Sequence, residues 1–165
     1  MRRSSRVIGA AVATVGAVVA MAAPAAAHVE PDPSRVKPGK EVTVEFAAEH
    51  GCDDSPTTGM TFRVPKGVTD AAPVEQDGFT ATTEGRTIEF SGGSIPGDEE
   101  APFEITFTAP DEKRQLVWKV VQRCEEGVER WIEKDPDGDK PAPRVGVGEK
   151  PESGHDDEDE DEDEH

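Results

Sequence analysis

The chain has 165 residues, and 18 Lys+Arg against 36 Asp+Glu give it a formal net charge of -18. An acidic excess of this size repels phosphates and anionic headgroups at long range, which excludes nucleic-acid binding unless a concentrated basic face offsets it, and no such face is legible in the sequence. Hydrophobic residues make up 33%, aromatics 5%, and 16 Gly and 14 Pro are scattered throughout, enough for one modest core and not for two domains.

The first element is a targeting segment, residues 1–27. Arg2, Arg3 and Arg6 form a basic n-region, Val7 to Met21 is an apolar run of small residues, and Pro24-Ala25-Ala26-Ala27 supplies a small-residue cleavage site. A membrane anchor would need about 20 strongly apolar residues, and this run is shorter and Ala-rich. The segment is therefore expected to be a cleaved signal peptide. Removing its three arginines takes the charge from -18 to -21 and leaves His28 as the first mature residue.

From His28 to about Gly148 the pattern is that of strands. Val42-Thr-Val44-Glu-Phe46 alternates apolar and polar residues, followed by Met60-Thr-Phe62-Arg-Val64, Thr87-Ile88-Glu-Phe90 and Phe103-Glu-Ile105-Thr-Phe107. Leu116-Val-Trp118-Lys-Val120-Val and Val128-Glu-Arg-Trp131-Ile continue the series, and period 2 marks strands with one buried face. Turn signals separate them at Pro38-Gly39, Pro65-Lys-Gly67, Asp77-Gly78, Gly92-Gly93, Pro96-Gly97, Pro110-Asp111 and Glu126-Gly127. No segment carries a helical stripe. Seven or so short strands at this spacing predict an all-β fold, an antiparallel β-sandwich of immunoglobulin-like or cupredoxin-like kind.

Residues 149–165 end in nine consecutive acidic residues, Asp156 to Glu164, flanked by His155 and His165. Self-repulsion and the lack of apolar residues predict a disordered, solubilising tail. Its carboxylates would also suit Ca²⁺ or Mg²⁺ weakly, and its two histidines could add affinity for transition metals. No apolar span of membrane length follows residue 27, so the expected product is secreted, without stable membrane insertion.

Cys52 and Cys124 are the only cysteines, and pairs in exported chains are usually oxidised. A structural disulfide is expected. The competing use, a two-thiolate copper site, would need two histidines and usually a methionine nearby. The mature chain offers His28, His50, His155 and His165, with Met60 alone in a strand and no tyrosine. That inventory excludes a Met-rich Cu(I) site, and a closed zinc site could be built in the fold only by consuming the disulfide. Ser91-Gly-Gly is not a nucleophile elbow, and His50 has no spaced Ser or Cys partner. His28 differs by position. At a mature N-terminus it brings its α-amine as well as imidazole Nδ1, and the two close a six-membered chelate on one ion. Flat nitrogen ligation suits Cu(II), which also tops the divalent affinity series. An α-amine has a reference pKa of about 7.7 to 8.0, so binding through it weakens in acid. On spacing alone, the same histidine could equally be an incidental first residue.

The wider sequence adds to this. Ala27-His28-Val29-Glu30-Pro31, His50-Gly51-Cys52-Asp53-Asp54-Ser55-Pro56-Thr57-Thr58, Val64-Pro65-Lys66-Gly67-Val68 and Gln122-Arg123-Cys124-Glu125-Glu126-Gly127 stand in order, leading to Arg130-Trp131-Ile132-Glu133. Over most of residues 28–147 the chain closely resembles the YcnI-like family of exported bacterial domains. The resemblance implies a cupredoxin-like β-sandwich that binds copper through a single-histidine brace at the processed N-terminus, with a required tryptophan at the Cu(II) site. Carried onto this sequence, the brace is His28 and the tryptophan is Trp131. A glutamate after the first long strand assists in part of the family; Glu49 and His50 occupy that loop here, and sequence does not choose between them. Phe79 replaces a tryptophan the family often carries, and the acidic tail stands where a C-terminal membrane helix is usual.

Taken alone, Trp131 in an alternating strand reads as a core residue, and Glu49-His50 as a solvated loop pair that a disulfide at Cys52 would hold still. The expected function is a secreted copper-binding protein without catalysis of its own, active in copper acquisition, buffering or transfer to extracytoplasmic copper chaperones or transporters. Two other classes stay open. A copper-dependent monooxygenase-like enzyme would need a second brace histidine and an axial aromatic, for which only His50 and no tyrosine are on offer. A plain immunoglobulin-like interaction module would make His28 and Trp131 ordinary residues.

Overall fold

The computed structural model describes residues 28–148; the segment 1–27 expected to be a signal peptide and the tail 149–165 lie outside the described residues. Among the described residues there is no helix, and twelve strands build three sheets. The first sheet has the order β1 (Val29–Asp32), β3 (Glu41–Ala48), β8 (Ala101–Thr108), β5 (Thr69–Pro73). The second runs β11 (Val128–Trp131), β10 (Lys119–Cys124), β4 (Thr57–Arg63), β7 (Thr87–Ile95), β6 (Thr80–Glu84). A smaller third sheet joins β2 (Arg35–Val36), β12 (Arg144–Val147) and β9 (Arg114–Val117). All pairings are antiparallel except β12 with β2. The all-β antiparallel sandwich expected from the alternation is what forms.

The core lies where the inward positions of the strands meet. Val44 and Phe46 of β3, Met60 and Phe62 of β4, Ile88 and Phe90 of β7, and Phe103, Ile105 and Phe107 of β8 have no exposed surface. Their rings interlock: Phe46 lies 5.3 Å from Phe62 and 5.0 Å from Trp118, and Phe90 lies 4.9 Å from Phe103. Each such ring removes 150 to 250 Å² from water, roughly, so a few aromatics carry most of a small core. Phe79 belongs to the same cluster, meeting Phe103 edge-on at 5.1 Å.

Two readings of the alternation are corrected. The run Leu116–Val121 is not one strand: β9 pairs with β12 and β10 with β4, and the chain changes sheet at Trp118. The Trp118 backbone N–H donates to Pro143 O at 2.9 Å while its indole enters the core, so the apolar period continues through the break. Gly92-Gly93 is not a turn but the middle of β7, at a register shift between Thr57 and Gly59 of β4. Gly92 has φ +86°, and the Phe79 ring occupies the place where Gly93 would carry a side chain. A bulge needs both properties. The short strands β1, β2, β5, β6 and β12 have weaker alternation than the six runs read from sequence.

Candidate metal site around His28

The site starts from a register. In the β1–β3 ladder Val29 pairs with Ala48 and Glu30 with Ala47; the ladder ends there, and one further step in the same register would bring Glu49 to His28, with His50 one residue beyond. His28 is half-buried immediately before β1, next to the buried Val29. Glu49 and His50 are both exposed in the bend that follows β3.

Trp131, the last residue of β11, is 3% exposed and its ring centroid lies 6.3 Å from that of His28, the planes tilted by 44°. The burial that makes Trp131 a core residue thus also puts it against His28. Lys140 holds its ammonium 5.6 Å from the indole centroid while pairing with Glu129 of the same strand. That cation covers a ring face by electrostatic attraction to the π-system.

Behind the indole stands Gln122, which sequence reasoning passed over. It is fully buried in β10; its Nε2 donates to His50 O at 2.8 Å and to Thr57 Oγ1 at 2.9 Å, and its Oε1 faces Trp131 Nε1 at 3.4 Å. One amide therefore ties the indole to the loop that carries Glu49 and His50. The available signal was polarity: Gln122 occupies the inward phase of β10 that Val120 shares, and a buried amide must be satisfied.

The same loop is closed by the Cys52–Cys124 disulfide, with S–S 2.08 Å and Cα atoms 5.9 Å apart, and by Cys52 N–H donating to Cys124 Sγ. Gly51 N–H donates to Gly97 O at 2.9 Å. A paired disulfide fits an oxidising, extracytoplasmic compartment. Among the described residues no free cysteine remains, no three or more His, Cys, Asp or Glu gather as a metal cluster, and no helix is long and apolar enough to cross a membrane. The donor set expected of His28, one imidazole and, after cleavage, one terminal amine, would not be of the clustered kind.

Electrostatically the neighbourhood is acidic. The ladder aligns Asp32, Glu45 and Glu104 across β1, β3 and β8. Burial pushes the Glu45 carboxyl above its ordinary range, and the charges of Glu100, Glu104 and Asp32 push it the same way.

Among solved structures, an uncharacterized Nocardia farcinica protein with an immunoglobulin-like fold is similar at 20% identity, over 73% of this chain and 97% of that one, with a TM-score of 0.60. A type III cohesin module from the cellulosomal ScaE cell-surface anchoring scaffoldin of Ruminococcus flavefaciens aligns at 13% identity over 80% of this chain and 93% of its own, with a TM-score of 0.45. The first likeness shows the fold, an immunoglobulin-like sandwich. No curated protein matches the sequence. A family model does, over residues 28–89 and 71–147, and the chain therefore belongs to the family described as Domain of unknown function (DUF1775).

Proposed function

We propose that this chain is an extracytoplasmic copper-binding domain whose Cu(II) is held by the α-amine and Nδ1 of a mature N-terminal His28, with Trp131 as the wall of the site and Glu49 as an additional oxygen donor. The observation that carries the reading is the 6.3 Å approach of the His28 and Trp131 rings, two residues 103 positions apart by their numbering. Register supports the choice of Glu49 over His50, because the β1–β3 ladder runs toward the pair His28 and Glu49. The YcnI-like domains that the sequence resembles fall within the matched family.

Each residue has a physical task in this reading. The imidazole and amine nitrogens suit Cu(II) better than carboxylates do. The indole excludes water on one side, and Gln122 fixes its edge. Copper is cargo, acquired, buffered or passed to another extracytoplasmic copper chaperone or transporter. Neither a second brace histidine nor a tyrosine is used, so no oxidative chemistry is assigned.

The test is Cu(II) titration of protein beginning at His28. A variant with one added N-terminal glycine turns the amine into an amide, and His28→Ala removes the imidazole; both are expected to lose tight binding to a similar extent, with metal-free Tm unchanged. Undiminished binding by the glycine-extended protein sinks the brace. No tight binding by the authentic protein favours the immunoglobulin-like interaction module.

A further inference from the structure

The composition excludes a basic face only on average, and the fold assembles one. Arg63, Lys66, Arg86, Arg114 and Lys119 line one cleft of about 370 Å³, with no acidic residue in its wall. Val64 and Pro65 form buried parts of the lining. The register explains the gathering: Lys119 at the start of β10 pairs with Arg63 at the end of β4, which pairs with Thr87 beside Arg86. Arg114 reaches in from β9, its Nη1 3.3 Å from the Cβ position of Gly67. The guanidinium contacts are neutral: Arg63 Nη1 donates to Thr87 Oγ1 at 3.0 Å and Arg86 Nε to Val64 O at 3.0 Å. The ion pairs among the described residues, Arg123–Glu89 and Lys140–Glu129, involve none of the five. In a chain with twice as many acids as bases, five cations that share a cleft and no carboxylate form an anion-binding site.

We propose that the ligand of this cleft is the chain's own acidic run, Asp156–Glu164, bound in cis. Three observations select it. Its nine consecutive carboxylates match the five cations in sign and density. The described chain stops beside the cleft: Val147 pairs with Arg114, and Gly148 follows next to Lys113. Seven residues lie between Gly148 and Asp156, eight chain steps that reach up to roughly 26 Å at about 3.3 Å each. A short tether gives a local concentration on the order of millimolar, so modest attraction suffices to fill the site. A free anion must instead overcome the repulsion of the whole acidic chain. Docking engages the carboxylates with arginine and lysine, so cations in solution compete with the cleft for the tail. The inference is independent of copper at His28.

The experiment uses protein spanning His28 to His165, with carbodiimide joining amines to carboxylates in contact. An equal mixture of ¹⁴N- and ¹⁵N-labelled protein is treated and digested for mass spectrometry. Lys66 and Lys119 are expected to link to Asp156–Glu164 in single-isotope peptides, in yield at least about fivefold above exposed Lys40 and Lys134 and falling about fivefold at 1 M salt. The double variant R63Q/R114Q is expected to lower both links severalfold. Acetylation footprinting of a variant with the nine tail acids replaced by their amides leaves the folded residues untouched; there Lys66 and Lys119 gain reactivity about threefold relative to Lys134. Mixed-isotope links assign the tail of a second copy to the cleft and overturn binding in cis. Equal yields at all lysines, or unchanged footprints in the amide variant, overturn the site.

Discussion

Gln122→Met tests how the indole and the loop of the candidate site are held. The side chains have similar volume, so packing survives while three polar partners lose theirs: His50 O, Thr57 Oγ1 and Trp131 Nε1. An unsatisfied buried group costs about 1 to 3 kcal/mol. The His50 carbonyl belongs to an exposed residue and can take a water instead, so two groups carry the loss, about 2 to 6 kcal/mol. Burying a thioether in place of an amide returns roughly 1 kcal/mol, and the 3.4 Å indole contact is weak, which puts the expected cost near 3 kcal/mol. Urea unfolding followed by circular dichroism should show a lower midpoint with an unchanged slope. Thr57→Val alone should cost less, and the double variant less than the sum, because both changes remove the same bond. On the proposed function, Gln122→Met also weakens Cu(II) binding about tenfold while His28 is intact, since 1.4 kcal/mol of lost positioning is one decade. A cost below about 0.5 kcal/mol, or strict additivity with Thr57→Val, refutes the network as a structural element.

Three further outcomes follow from the fold. Cys52 and Cys124 lie 72 residues apart, and replacing both by Ala should cost roughly 4 kcal/mol on the chain-entropy model, read from the urea midpoint. Trp118 is fully buried with no hydrogen-bond partner for Nε1 among the described residues; Trp118→Phe should therefore cost only about 1 kcal/mol, because the cavity it opens is offset by removing an unsatisfied N–H, well short of the 3 to 5 typical of Trp→Ala. Glu45 has a raised carboxyl pKa in the fold, chiefly from burial and then from Glu100, Glu104 and Asp32. The folded state thus holds the proton more tightly, so stability is greatest below the unfolded carboxyl value of about 4.3 and declines as pH rises through the folded one. Glu45→Gln should raise Tm at neutral pH and lose that advantage toward pH 4; an equal gain at both pH values contradicts it.

The strands that carry the core were legible because alternation and burial coincide there: Val44, Phe46, Met60, Phe62, Ile88, Phe90, Phe103, Ile105 and Phe107 all occupy the inward phase. The change of sheet at Trp118 was not legible, since the apolar period passes through it unbroken and only the partner strands differ. Gly92-Gly93 misled for a related reason: a glycine pair marks an unusual backbone, and whether that becomes a turn or a bulge depends on Phe79. The cationic cleft was invisible for a third. Arg63 and Lys66 come from one short stretch and Arg86, Arg114 and Lys119 from others, none basic enough to stand out against the acidic average.

The residues proposed for copper fall on both sides of that divide. His28 and Trp131 were named from sequence, but their proximity depends on two registers read in different sheets: β1 on β3 places His28, and β11 on β10 places Trp131 opposite Val120. No single alternating run contains that relation. Gln122 links the Trp131 side of that relation to the neighbouring loop, since the residue two places along β10 from Val120 reaches both the indole and the carbonyl of His50. Strand registers, an amide and a disulfide therefore fix His28, Trp131 and the Glu49–His50 loop by separate means. On the proposed function, a substitution that loosens one should reduce copper affinity in proportion while leaving the sandwich standing. That separation is what a domain needs if its ion must be gripped and later released without unfolding.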